Sequence, residues 1–148
     1  MKKITMDPSA CLSCHSCELA CVVAHSSSKQ LFEVINERFQ PRSRVHLRSS
    51  ELSNFPLMCQ QCAVPTCVQV CKQRALYVDP VSGIVLYDET RCNGCSKCVK
   101  ACSYGAIEKN RAANNHLIIN KCDLCENEPG DPACMTACPT GAISYQAI

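Results

Sequence analysis

Sixteen of the 148 residues are cysteines, and they fall into four groups of four. The first group is Cys11, Cys14, Cys17 and Cys21, and the second is Cys59, Cys62, Cys67 and Cys71. The third is Cys92, Cys95, Cys98 and Cys102, and the fourth is Cys122, Cys125, Cys134 and Cys138. Groups one and three share the spacing C-x2-C-x2-C-x3-C, while groups two and four widen the middle gap. A cubane [4Fe–4S] cluster offers iron corners that each take one thiolate. A C-x2-C-x2-C loop can wrap three of them, and the fourth corner lies away from that loop.

Zinc asks for another layout. Structural zinc sites pair two C-x2-C knuckles across a longer gap, often with histidine. Three cysteines within seven residues overcrowd a tetrahedral ion, and His15, His25, His46 and His116 show no ligand spacing among themselves. A zinc-binding protein remains the alternative from another class, and it would be colourless with about one zinc per four cysteines. A disulfide scaffold would need export. The segment before Cys11 has neither an apolar signal core nor a twin-arginine stretch. The expectation is a cytoplasmic, anaerobic setting in which thiols stay reduced.

Composition agrees with a metal-dependent fold. Hydrophobic residues make up 47% of the chain, but that share includes the cysteines, and aromatics are only 5% with no tryptophan. So thin an apolar core needs staples, metals or partners to fold. The formal charge of +2 counts every cysteine as neutral. Four oxidised clusters with their thiolates would bring it to roughly −6. The weak basic balance is therefore no sign of nucleic acid, and no basic run with interleaved aromatics suggests it. No window is apolar and long enough to insert directly into a membrane. A phosphate loop, a dinucleotide fingerprint and a nucleophile with its base are all absent, so no catalytic residue is assigned.

The elements that must position the cysteines are short. Glu18–Ala24 reads as a helix, and a second is expected near Phe32–Arg38. Ala75–Val78 and Gly83–Tyr87 flank Asp79-Pro80-Val81-Ser82 as a hairpin with its turn. Ser43–Arg48 alternates as an edge strand does, and Leu117–Ile119 leads into group four. A shared Gly-Ala-Ile follows groups three and four, at Gly105–Ile107 and Gly141–Ile143, where a turn would enter a strand. The fold class is α+β.

These features resemble the four-cluster ferredoxin-like small subunits of complex redox enzymes: dimethyl sulfoxide reductases, formate dehydrogenases, hydrogenases and carbon monoxide dehydrogenases. The last group carries the likeness best, with Cys122-Asp123-Leu124-Cys125 followed by Pro132-Ala133-Cys134-Met135-Thr136-Ala137-Cys138-Pro139-Thr140-Gly141-Ala142. Within that superfamily, Ser13-Cys14-His15-Ser16-Cys17-Glu18-Leu19-Ala20-Cys21-Val22-Val23-Ala24-His25-Ser26 is similar to the CooF-type iron–sulfur subunit of carbon monoxide dehydrogenase. The resemblance implies four [4Fe–4S] clusters, paired group one with four and two with three. Cys11, Cys14 and Cys17 would take Cys138; Cys122, Cys125 and Cys134 would take Cys21. Cys92, Cys95 and Cys98 would take Cys71; Cys59, Cys62 and Cys67 would take Cys102. Two nested ferredoxin-like 2[4Fe–4S] modules follow: an outer one of residues 1–30 plus 111–148, an inserted one of residues 57–110, and a connector over 31–56.

The implied function is electron transfer, as a subunit of an oxidoreductase complex rather than an enzyme in its own right. Its partners would be carbon monoxide dehydrogenase, with a formate dehydrogenase or hydrogenase as the alternative, and a downstream hydrogenase, reductase or soluble carrier. A scaffold role, with clusters that do not change redox state, shares the same framework. His15 is expected at the surface and Glu18 in the first turn of its helix. Asp123 and Glu126 read as solvated charge, and Met58 and Met135 as soft fillers against the clusters. One departure stands out: the bacterial ferredoxin run ends in Cys-Pro, and only Cys138 has its proline. Lys72, Arg74, Lys97 and Lys100 crowd groups two and three, and positive charge raises a cluster's potential. The inner pair is therefore predicted to titrate above the group-one cluster. A redox titration that resolves single clusters would check the order, and a reversed order would refute it.

Overall fold

A computed structural model describes residues 2–39, 41–51 and 53–147. Its logic is a tandem of two similar units. The first starts with strand β1 (Lys2–Met6), which ends at Asp7. The Asp7 carboxylate accepts from Ser9 N and Oγ, and this caps a 3-10 turn over Pro8–Ala10 that delivers Cys11. The second unit repeats the device. Strand β5 (Val85–Tyr87) ends at Asp88, whose carboxylate accepts from Thr90 N and Oγ1, and the turn Glu89–Arg91 delivers Cys92.

The rest of each unit follows in the same order. In the first come α1 (Ser16–Ala24), the hairpin β2 (His46–Ser49) with β3 (Asn54–Leu57), α3 (Thr66–Gln69) and β4 (Leu76–Val78). A single helical turn, α2 (Leu31–Val34), lies between α1 and β2. The second unit has α4 (Lys97–Ala101), the hairpin β6 (Ile107–Arg111) with β7 (Leu117–Lys121), α5 (Ala133–Thr136) and β8 (Ile143–Ala147).

The two units clasp each other. β1 pairs antiparallel with β8, and β4 pairs antiparallel with β5. Helix α1 packs on α5, and α3 packs on α4. Matching backbone bonds lock both joints: Asp7 N donates to Ala142 O and Asp88 N to Ala75 O, each at 2.8 Å. So a helix of group one packs on one of group four, and a helix of group two on one of group three. Two small cores result. Ile4, Val45, Met58, Ile84, Leu124 and Ile143 pack with Cys17, Cys21, Cys122 and Cys134. Leu76, Val85, Ile107 and Ile119 pack with Cys98. No helix of the described residues is long and apolar enough to cross a membrane.

The hairpin around residues 79–82 forms as expected, as do the strands after both Gly-Ala-Ile turns. The expected helix over 32–38 shortens to Leu31–Val34. Past Val34 the N–H groups of Asn36 and Glu37 bond back only three residues, and the Glu37 carboxylate is drawn away to the N–H groups of Ser27 and Ser28. The expected edge strand begins later, at His46, and pairs with an unanticipated β3.

Gly94 is where backbone meets backbone. It has φ +72°, and a Cβ there would lie 2.7 Å from both Leu117 Cβ and Leu117 O, so β7 presses against the third cysteine loop. Gly83 has a similar φ but open space around it. Gly94→Ala is expected to destabilise the protein by about 1–3 kcal/mol, and Gly83→Ala by only about 1 kcal/mol. Anaerobic denaturant unfolding of the two variants would check this, and equal losses would contradict it.

Candidate functional site

Each cysteine group curls by the same backbone device. The residue before the second cysteine has a positive φ in every group: Ser13 (54°), Gln61 (46°), Gly94 (72°) and Leu124 (58°). His15 and Ser96 repeat it one residue past the second cysteine in groups one and three. Non-glycine residues adopt this conformation only where the surroundings enforce it, and they cluster at functional sites. Such turns form concave nests of N–H groups that hold anions and iron–sulfur centres. Two of these amides reach sulfur directly: Gly94 N donates to Cys92 Sγ and Leu124 N to Cys122 Sγ, both at 3.4 Å.

The loops gather sulfurs from distant parts of the chain. Cys11, Cys14, Cys17 and Cys138 line one cavity, with Leu47, Pro56 and Ile143 as apolar walls. Cys71, Cys92, Cys95 and Cys98 line a second. Other thiols influence one another. Burial raises Cys122, Cys125 and Cys134, the last to about 12, and Cys21 adds to the rise in all three. Burial likewise raises Cys67, helped by Cys59 and Cys102. Cys62 is half-buried on the loop it shares with Cys59. All sixteen cysteines are free thiols.

The donor sets suit a metal cluster. Burial pushes Cys17 and Cys98 up to about 11, so a bare thiol there stays neutral, and only a strong cation would draw off its proton. Ser13 Oγ supplies a second sign. It lies on the wall of the first cavity, buried and without a hydrogen-bond partner among the described residues. Orphan buried hydroxyls are rare, and a sulfide acceptor in that cavity would satisfy this one.

Around Cys21 the sequence was least informative. Burial should raise this thiol, yet it is lowered, because the His25 ring and the Arg44 N–H at 3.2 Å both bond its sulfur. His25 also donates Nδ1–H to Cys21 O at 2.8 Å and faces Asp123 through Nε2 at 3.2 Å. Arg44 NH1 grips the other oxygen of Asp123 at 2.5 Å. Burial opposes the charge on His25, but Asp123 and Cys21 outweigh it and raise the ring to about 9. Asp123 is therefore not the solvated charge expected of it. The connector also contributes to the site: Arg44 N does for Cys21 what Ala106 N, at 3.4 Å, does for Cys102.

Other expectations stand as follows. His15 is exposed and pairs with Glu18 at 2.7 Å. Glu18 lies in the first turn of α1 and also accepts Leu47 N. Met58 is buried among the cysteines of the first core, with Met135 against it.

Comparison with known proteins settles the class, since a 4Fe–4S dicluster domain matches residues 50–148. The chain belongs to the 4Fe–4S dicluster family. It is 37% identical to the electron transport protein HydN of Escherichia coli K12, over 95% of this chain and 85% of that one. It is 35% identical to the beta subunit of the NADH-dependent phenylglyoxylate dehydrogenase of Aromatoleum evansii, over 96% of this chain and 29% of the subunit. The fold is similar to a chain of the active-site complex BamBC of benzoyl coenzyme A reductase as isolated (TM-score 0.51, 23% identity, 99% of this chain and 76% of that one).

The His25–Asp123–Arg44 cluster is a testable support. Asp123→Ala would leave two partly buried cations unpaired and is expected to cost about 1–3 kcal/mol. Arg48→Ala, which loses an exposed pair with Glu108 at 4.0 Å, should cost less than about 1 kcal/mol. Thermal unfolding of the two holo-variants would compare them, and an Asp123 effect no larger than that of Arg48 would contradict the supporting role.

Proposed function

We propose that this chain binds four [4Fe–4S] clusters and relays single electrons along them between a redox enzyme and a downstream acceptor. The reading rests above all on the two cavities lined by three cysteines of one loop and a fourth from a distant group. The ligand sets are Cys11, Cys14, Cys17 and Cys138; Cys21, Cys122, Cys125 and Cys134; Cys59, Cys62, Cys67 and Cys102; Cys71, Cys92, Cys95 and Cys98. Each end of the molecule is then one ferredoxin-like module, an outer one from groups one and four and an inner one from groups two and three. The clusters, when bound, supply the one-electron chemistry that no side chain of this protein offers.

The protein's own residues do the rest. The left-handed turns aim three sulfurs and their amides at one point, and the clasp of β1 on β8 and of β4 on β5 delivers the fourth. Amides of Gly94, Ala106, Leu124 and Arg44 donate to ligand sulfurs, which stabilises the thiolates and raises the potential. Apolar walls exclude water. The sets also form a series. Cys17, Cys134 and Cys122 share one core with Cys59 against it, joining the first to the second and the second to the third. Cys67, Cys71, Cys98 and Cys102 share one core, joining the third to the fourth. The partner proposed is carbon monoxide dehydrogenase, on the strength of the CooF-like stretch Ser13–Ser26.

The test uses anaerobically purified protein. About sixteen irons per chain are expected, and a brown colour that bleaches when trace carbon monoxide dehydrogenase and carbon monoxide are added. Bleaching only with a formate dehydrogenase or hydrogenase and its substrate would keep the relay and change the partner. A brown protein that no such enzyme reduces would refute electron transfer and favour a scaffold. A colourless protein would refute the clusters.

A further inference from the structure

A buried lysine sits where the second and fourth cysteine loops meet, with no ion pair among the described residues. Lys121 ends β7 and is only 4% exposed. Its Nζ donates to the carbonyls of Val85 and Cys122. Gln61, 3% exposed, closes the same knot: Nε2 donates to Cys122 O at 3.2 Å, and Oε1 accepts from Val85 N at 2.8 Å. Three segments meet there: the second cysteine loop, strand β5 and the start of the fourth loop. The knot joins the two cores, one holding Cys122 and the other Val85.

Two neutral carbonyls do not offset the burial of an ammonium group, and buried charges are ordinarily paired. Among the described residues Lys121 has no ion pair. The nearest acid along the chain, Asp123, is already held by Arg44 and His25. Two cysteine loops are what lie close. The Lys121 Nζ bonds the carbonyl of Cys122, and Gln61, the residue before Cys62, bonds that same carbonyl. Cys122 belongs to the second set and Cys62 to the third, so a single cation reaches both.

We infer that Lys121 is the shared counter-cation of the two central clusters and raises the potential of both. The inference rests on the ligand sets proposed above. Reduction adds negative charge beside a fixed positive one, and the effect is strong where water is excluded. Lys72, Arg74, Lys97 and Lys100 are exposed and screened by solvent, so each weighs less on a cluster than Lys121 does. The first electrons to enter from either end then settle at the seam between the modules.

The experiment compares anaerobic holo-protein carrying Lys121→Met, Lys121→Gln or Lys121→Arg with the wild type. Iron per chain is measured first, followed by an EPR-monitored redox titration. In both neutral variants, two clusters should shift about tenfold toward the oxidised form at fixed potential, about 59 mV for a one-electron centre. The other two should move less, and Lys121→Arg should stay close to wild type. Neutral variants with full iron and wild-type potentials overturn the inference, as does a shift confined to the terminal clusters. If both neutral variants lose clusters while the arginine variant keeps them at wild-type potential, the charge is required, since glutamine restores a donor without it. Loss in all three variants makes Lys121 a structural lock and overturns the electrostatic role. A wild-type iron count short of four clusters fails the earlier reading as well, and it appears before any variant is titrated.

Discussion

A sulfur delivered from a distant stretch of chain completes each local loop, and the architecture follows from that delivery. Cys138 reaches the cavity of Cys11, Cys14 and Cys17, and Cys71 reaches that of Cys92, Cys95 and Cys98. Neither could do so within a single unit of the tandem. The two units therefore interlock, with terminal strands β1 and β8 at one end and β4 and β5 at the other. Short strands and short helices suffice, because the elements only steer cysteines and need not build a large core. The cysteines themselves occupy much of the interior.

The same burial that shields the sulfurs works against their charge. It raises the thiols of Cys17, Cys98, Cys122 and Cys134 far above neutrality. Three sources of positive potential oppose it: amides turned toward sulfur by left-handed residues, the His25–Arg44 pair at Cys21, and the buried Lys121. None of these would be needed by a fold held together with neutral side chains. Their concentration at the cysteine loops points to anionic centres as the partners of the fold. Belonging to the 4Fe–4S dicluster family fits that electrostatic pattern.

Much of this was legible from spacing. Cysteine intervals announce the loops because ligand geometry is local, and alternation with a turn announces the hairpin at residues 79–82. The left-handed positions were not legible: only Gly94 is glycine, whereas Ser13, Gln61 and Leu124 carry no mark of it and are held there by their loops. Asp7-x-Ser9 and Asp88-x-Thr90 form a repeat whose meaning appears only when both are seen capping the turn before a cysteine. Asp123 looked like solvent-facing charge because its partners, His25 and Arg44, lie far away in sequence. The helix expected over 32–38 failed for a similar reason, since Glu37 bonds to Ser27 and Ser28 rather than to its own helix.

The central claim is that metal, through sulfurs brought from both units, holds the interlocked fold together. Hydrogen–deuterium exchange before and after anaerobic chelation of iron tests it most directly. The account predicts that amides of β1, β8, β4 and β5 are protected in the loaded protein and that all exchange rapidly once iron is removed. Strands that keep their protection in the iron-free protein would contradict it.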